Sequence, residues 1–506
     1  MPDTINTSAA ATAPASAAHT LDAADAEFDV FYEMLKKEFR PRTDDAERAV
    51  QNAIQTLAQQ ALQADSLVSD DTLRTIDAMI AAIDEKLTQQ VNLILHHPDF
   101  QRLEGAWRGL DYLVRNTETD TKLKIRVLNI KKQELGDMLR SGMGAAWDQT
   151  PFFKRVYEHE YGVLGGEPYG TIIGDYYFDH HPQDVKLLGE IAKTAAAAHA
   201  PFVAAVAPSL FGLDSWQELD NKRDISKIFV TDDYAPWRSL RDAADSRYLA
   251  LTMPRFLARL PYGAKTDPVS AFDFEEDVDG TNHERYAWAN AAYAMAVNIN
   301  RSFKLYGWCT RIRGAESGGS VPNLPVHAFP TDDGGVDMKC PTEIAISERR
   351  EFELSNNGLL PLIHRKHSDE AVFMGAQTLQ KPAIFNRSYA NENAELSARL
   401  PYVFACSRFA HYLKHLCREQ IGSFKEREDM EKFLNNWISD YVDGDPANST
   451  VITKSQKPLA AAQVKVEEEE GKPGYYRATF WLRPHYQLEK LAMSMRLVSR
   501  LPAVKG

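Results

Sequence analysis

The strongest constraint on this chain is a single row of apolar side chains. Leu73, Ile76, Ile80, Ile83, Leu87, Val91 and Ile94 recur at steps of 3, 4, 3, 4, 4 and 3. That spacing returns each side chain to one face of a 3.6-residue turn, so it predicts a helix of about 25 residues with a narrow seam. Ser69, Asp70 and Asp71 stand where side-chain oxygens cap a first turn. Such a seam packs against another long helix, supplied by the chain itself or by a second subunit, and periodicity does not choose between them. Further helices are predicted on either side. Leu21, Ala24, Phe28, Phe31 and Leu35 form an aromatic stripe just before the Pro41 break, either docked on its own domain or offered to a partner protein. A second stretch, 46–64, carries Val50, Ile54 and Leu57. Leu103, Trp107, Leu110 and Val114 mark a helix after Pro98.

Beyond residue 115 strands and helices alternate. Period-two runs predict strands at Leu123–Ile130 and Tyr169–Phe178, and a short apolar run predicts one at Phe202–Ala207. Helices are expected at 182–198, through most of 235–263, and at 286–300, 396–421 and 427–442, with a strand inside 343–354. Strands return at 461–470 and 475–482, where Tyr476, Ala478, Phe480 and Leu482 share a face, and at Leu491, Met493, Met495 and Leu497. A terminal strand offers an edge that completes the home sheet or pairs with a neighbouring chain. The class is α/β (α+β) and multi-domain. Domain boundaries are placed at 1–20 (a disordered tail), 21–114 (a helical partner-binding region), 115–235 (a first α/β region), 236–400 (a central domain) and 401–506 (a C-terminal domain).

The formal net charge of −13 argues against a nucleic-acid partner. Four cysteines in 506 residues exclude a disulfide scaffold. No uncharged apolar run reaches the length of a membrane span, and the first twenty residues lack the basic start of a signal peptide, so the expected location is the cytoplasm. There is no GxxxxGK[ST] phosphate loop and no strand–GxGxxG–helix unit. His411, His415 and Cys417 share a helix without a HExxH glutamate, and read as packing rather than as a metal site. His364 and His367 read as a charged surface stretch, and Cys309 and Cys340 as small apolar residues. No nucleophile, base and orienting group converge, so no catalytic, cofactor or metal residue is assigned.

Pro236–Gly263 (PWRSLRDAADSRYLALTMPRFLARLPYG), Glu284–Trp308, and Pro341–Leu362 (PTEIAISERREFELSNNGLLPL) resemble the large contractile-sheath subunit of bacterial type VI secretion, the TssC/VipB family, also called ImpC/EvpB. Ile94–Leu113 and the closing FWLRPHYQLEKLAMSMRLVSRLP fit the same pattern. The resemblance implies a structural protein with a contractile-sheath fold, no cofactor and no enzymatic role. It implies pairing with a small sheath subunit of the TssB/VipA kind, stacking with further copies into a tube, and contraction around an inner tube of haemolysin-coregulated protein on an envelope-anchored baseplate. It further implies disassembly by a ClpV-like AAA+ ATPase. On that expectation the seam from Leu73 to Ile94 meets the small subunit and the helix bearing Leu21, Ala24, Phe28, Phe31 and Leu35 is read by the ATPase. Tyr476, Phe480, Leu482, Met493, Met495 and Leu497 would link protomers through shared strands. Arg238, Arg241, Arg247 and Arg255 would form ion pairs, between subunits or within the middle domain. A phage-tail-like or extracellular injection sheath is the alternative.

Overall fold

The computed structural model describes residues 72–142, 146–221, 224–280, 282–331, 333–423, 426–468 and 476–487, together with Arg48 and Asn52, both helical. The expected helix of Leu21–Phe39 and the strand of Met493, Met495 and Leu497 lie outside these residues, and the side chains of Leu73 and Ile76 are not described. The chain divides into two units, 1–94 with 262–276, and 95–261 with 277–506.

In the first unit the expected long helix is present as α1 (Thr72–Leu95). The returning segment 262–276 is held to it where Asn92 Nδ2 donates to the Glu275 carbonyl at 3.1 Å.

The second unit is organised on a six-stranded sheet in the order β1 (Ile172–Phe178), β2 (Phe202–Val206), β3 (Leu249–Met253), β9 (Leu359–His364), β10 (Ala371–Phe373) and β6 (Ser320–Val321). The first four strands are parallel, and β10 pairs antiparallel with β9 and β6. Short ribbons lie outside it, β4 (Phe256–Leu257) with β5 (Trp288–Ala289), and β7 (Ala328–Pro330) with β8 (Val336–Met338). All five residues of β2 are buried, as a parallel strand covered on both faces requires. Phe202, Ala204 and Val206 face one core with Leu251, Met253 and Leu359. Val203 faces the other with Ala250, Leu360 and Leu362. The boundary expected at 235/236 falls between β2 and β3, which pair directly, so 115–235 and 236–400 share one sheet.

Helices α2 (Pro98–Arg115), α3 (Lys132–Arg140), α4 (Pro182–Ala198), α5 (Ala235–Asp242) and α6 (Ala291–Tyr306) surround that sheet. α4 supplies Leu188 and Ile191, and α5 supplies Trp237, to the first core. α6 covers the second core with Ala292, Met295 and Ala296. It begins where the Asn290 side chain accepts from Ala292 N at 2.8 Å and ends at Gly307, φ +78°. It therefore starts and finishes about one and a half turns later than 286–300.

Gly105 and Gly109, one turn apart on α2, let that helix approach β5 and α6. A Cβ on Gly105 would stand 2.3 Å from the Trp288 carbonyl oxygen, and one on Gly109 2.4 Å from the Tyr293 ring. Gly→Ala ordinarily stabilises a helix interior by up to about 1 kcal/mol. Here the backbone obstacle reverses the sign. Gly105→Ala is expected to lower stability by about 1–3 kcal/mol, as overpacking does. An unchanged or raised urea midpoint would show that α2 does not lie this close.

Three elements differ from expectation. Residues 123–130 form no strand among the described residues: no backbone ladder pairs with them, and Lys124, Arg126 and Ile130 are tied instead to Glu167, Glu160 and the Tyr176 hydroxyl. The 235–263 stretch holds α5 but also β3 and β4. The run before Asn357-Gly358 is a helix, α7 (Glu348–Asn356), capped where the Ser347 hydroxyl accepts from Arg350 N, and the strand follows it as β9. At the C-terminal end, α8 (Ser388–Ser397), α9 (Leu400–Glu419) and α10 (Arg427–Ser439) precede a hairpin of β11 (Leu459–Glu468) and β12 (Tyr476–Pro484). Phe409, Leu413, Leu434 and Ile438 form a third core with Val464 and Val466.

Candidate assembly surfaces

Three surfaces remain for a partner. The first is the α1 seam. Ile80 is 44% and Ile94 57% exposed, while Ile83, Leu87 and Val91 are half-buried. None of these five is enclosed by the described residues, although full burial of such a side chain is worth about 1.5–3 kcal/mol. Beside Ile80 lies a shallow hollow rimmed by Asp77, Asp84, Glu85, Asp273 and Glu275. The surface is apolar with an acidic rim.

The second is the outer face of α2. Its buried side is Gly105, Gly109 and Leu113. Of the four apolar residues that announced the helix, Leu110 packs on the second core, whereas Leu103 and Val114 are exposed and Trp107 is 65% exposed. The glycines at i and i+4 were the signal for the packed side.

The third is an edge of the C-terminal hairpin. β11 and β12 pair in register, Val464 opposite Phe480 and Val466 opposite Ala478. Ala478, Phe480 and Leu482 turn inward onto the third core, while Tyr476 is exposed. The outer edge of β11 is closed by α10. Asn435 donates to Val464 O at 2.9 Å and accepts from Val464 N at 3.0 Å, and Glu431 accepts from Val466 N at 2.9 Å. A strand residue whose N–H and C=O point to one edge faces a partner whose groups point to the opposite edge. The N–H and C=O groups of Ala478, Phe480 and Leu482 therefore project from the far side of β12, where the two-stranded sheet has no further strand among the described residues. Among the described residues this is an open strand edge on a hairpin packed against its own core.

The arginines turn inward. Arg241 is buried and donates to the Leu379 and Asn356 carbonyls at 3.1 and 3.3 Å. Arg255 grips Glu343 through two bonds of 2.8 and 2.6 Å. Arg238 donates to the Phe229 and Thr231 carbonyls, and Arg247 to that of Ala244. Arg255 thus makes its ion pair with a carboxylate of its own subunit, and Arg241 spends its hydrogen bonds on backbone carbonyls.

His411 donates from Nε2 to the Ala198 carbonyl at 2.9 Å. Burial pulls its pKa down to about 4. Among the described residues no group of three His, Cys, Asp or Glu side chains is placed to hold a metal, and no helix is long and apolar enough to cross a membrane.

Two family models match this sequence. The EvpB/VC_A0108 tail sheath N-terminal domain covers residues 77–380, and the EvpB/VC_A0108 tail sheath gpW/gp25-like domain covers 389–501. The type VI secretion system sheath protein TssC1 of Pseudomonas aeruginosa is 64% identical over 475 residues, spanning 94% of this chain and 95% of that protein. Two solved structures are far more distant. The contracted helical sheath of the anti-feeding prophage is 12% identical with a TM-score of 0.34, over 78% of this chain and 86% of that one. The baseplate of the same particle is 10% identical with a TM-score of 0.33, over 77% and 87%. Neither likeness is close enough to build on.

Proposed function

The chain belongs to the EvpB/VC_A0108 tail sheath family and is a sheath subunit of type VI secretion, and from that premise we propose how it assembles. It pairs through the α1 seam with a small sheath subunit. The heterodimers stack as rings into a tube around the inner tube protein, in the bacterial cytoplasm, anchored through a baseplate at the envelope. The observation that carries this reading is the hairpin, with one edge closed by its own helix and the other left open. An added strand makes main-chain hydrogen bonds, which tolerate side-chain rearrangement. Such a link holds neighbouring subunits while the contacts between rings change.

The α1 surface favours a partner helix with an apolar stripe and basic flanks, because Ile80 sits beside Asp77, Asp84 and Glu85. To the disassembly ATPase we assign the segment of Leu21, Ala24, Phe28, Phe31 and Leu35, and to the shared sheet Met493, Met495 and Leu497, all outside the described residues. The role is structural. Contraction then draws on two assembly geometries of different interface energy, set when the extended form is built.

The test is electron microscopy of the chain co-expressed with its small neighbour. Ringed tubes are expected without added nucleotide. A monodisperse monomer under those conditions, or tubes that form only when ATP is supplied, would overturn the proposal.

A further inference from the structure

The chain is held to the body of the subunit again after β12 ends. The hairpin ladder closes with Pro484 opposite Leu459. His485 continues it, its N–H donating to the Pro458 carbonyl at 3.1 Å and its Nε2 to the Lys457 carbonyl at 3.0 Å. Tyr486 is exposed. Gln487 then turns away from the hairpin. Its N–H donates to the Tyr402 hydroxyl at 3.0 Å, in the first turn of α9. Its side-chain Oε1 accepts from Arg313 Nε at 2.8 Å, and its Nε2 donates to the Thr310 carbonyl at 2.8 Å. A guanidinium only donates and a carbonyl only accepts, so the two partners fix the orientation of the amide.

None of these partners belongs to the hairpin. Arg313 and Tyr402 are buried, and Ile312, beside Arg313, is fully enclosed in the second core. The segment that carries Thr310 and Arg313 is tied down at both ends. Ser302 Oγ donates to the Trp308 carbonyl at 2.8 Å, and the Gly314 N–H donates to the Phe373 carbonyl of β10 at 2.8 Å. Gln487 is therefore fastened to the sheet-bearing part of the subunit. Residues 488–506 follow it in the chain, and a pull on them reaches Gln487 before it reaches β12. Without that fastening the pull would fall on the Pro484 end of the hairpin, where a ladder opens pair by pair from a fraying end. The three bonds of Gln487 sit on one residue and give way together.

We propose that Gln487 is the anchor through which tension on the C-terminal segment passes to the second core, so that the β11–β12 hairpin is not peeled apart. The inference rests on the reading that this segment joins a neighbouring subunit. The hairpin then keeps its β12 edge in place for an added strand while the terminal segment is drawn taut, and the two links made by one subunit hold independently.

The experiment stretches single molecules of the full chain between a handle at exposed Val451, ahead of β11, and a handle at the C-terminus. At one fixed load Gln487→Ala should open roughly tenfold faster than the native chain, the effect of losing two side-chain bonds of ordinary net strength. Tyr402→Phe removes only the acceptor of the Gln487 N–H. It should open roughly threefold faster, and it keeps the test available if the first variant misfolds. Moving the second handle from the C-terminus to exposed Ile421 leaves the terminal segment slack, and both variants should then open at the native rate. Equal rates under C-terminal load, or the same acceleration with either placement, would overturn the anchor. Failure of the native chain to form tubes, seen separately by microscopy, would strike the assembly reading and leave the anchor to be decided by these rates.

Discussion

Replacing Ala478 by proline is expected to leave a folded subunit that assembles into tubes only at much higher protein concentration. The bonds between β11 and β12 belong to the pairs Gln463–Trp481, Lys465–Thr479 and Glu467–Arg477, because the outward groups of Val464 and Val466 are taken by Asn435 and Glu431. The N–H of Ala478 points away from β11. A proline there removes no bond from the hairpin, and an edge strand tolerates it. In a shared sheet the same position becomes central. A proline then removes a ladder bond, worth about 1 kcal/mol net, and sets its ring against the incoming backbone.

The loss repeats at every subunit, so tube formation should shift to at least roughly tenfold higher protein concentration, the equivalent of about 1.4 kcal/mol per link. Thr479→Pro is the contrasting variant. Its N–H lies inside the hairpin, so it should lower the stability of the third core itself. Pelleting of tubes and the urea midpoint of the isolated chain separate the two effects. If Ala478→Pro assembles at the native yield, the β12 edge is not the link.

What could be read from the residues, and what could not, follows from where each signal resides. The α1 seam was legible because Ile80, Ile83, Leu87 and Val91 repeat within one helix. So was the inward face of β12, from Ala478, Phe480 and Leu482. That its far edge is open was not legible, since this depends on Asn435 and Glu431 reaching across from α10. β3 was hidden inside a stretch that otherwise reads as helix. Leu249–Met253 becomes a strand because β2 and β9 flank it, a pairing between residues far apart in sequence. Leu123–Ile130 shows the reverse. Its alternation is clear, yet Val127 and Leu128 are exposed and no strand pairs with it among the described residues. Alternation specifies a surface with two faces but cannot supply the second strand. The α7 start was available in Ser347 and the charged turn after it, and the Ile344–Ile346 run before it drew the reading toward a strand.

Lowering the pH from 7 to 4.5 is expected to weaken the isolated subunit through two buried histidines. Burial holds His411 down to about 4. Its Nε2 hydrogen is committed to Ala198, and its buried Nδ1 has no hydrogen-bond partner among the described residues, so a second proton would be an unpaired buried donor. His283 is held down to about 3 by burial and by the charges of Lys339 and Arg255. Its Nδ1 is 2.9 Å from Lys339 Nζ and must accept from that ammonium. Glu343 Oε1, 4.0 Å from Nε2, is already bound by Arg255.

Both rings are neutral when folded, whereas the unfolded chain takes up protons from about pH 6.5 downward. The unfolded state binds more protons in this window, so stability rises with pH. It is fully present above about 6.5 and is lost as pH falls, at about 1.4 kcal/mol per unit for each ring. By pH 4.5 the two rings together withdraw about 5 kcal/mol. His364, raised by the neighbouring Cys340 thiol, and Asp175, raised by burial, act in the opposite direction. The difference between variants therefore isolates the effect. His411→Gln keeps a donor for Ala198 but cannot titrate. Its urea midpoint should fall less steeply with pH than that of the native chain, and combining it with His283→Gln should flatten the dependence further. Parallel curves for the native and variant chains would mean that neither ring is held neutral by the fold.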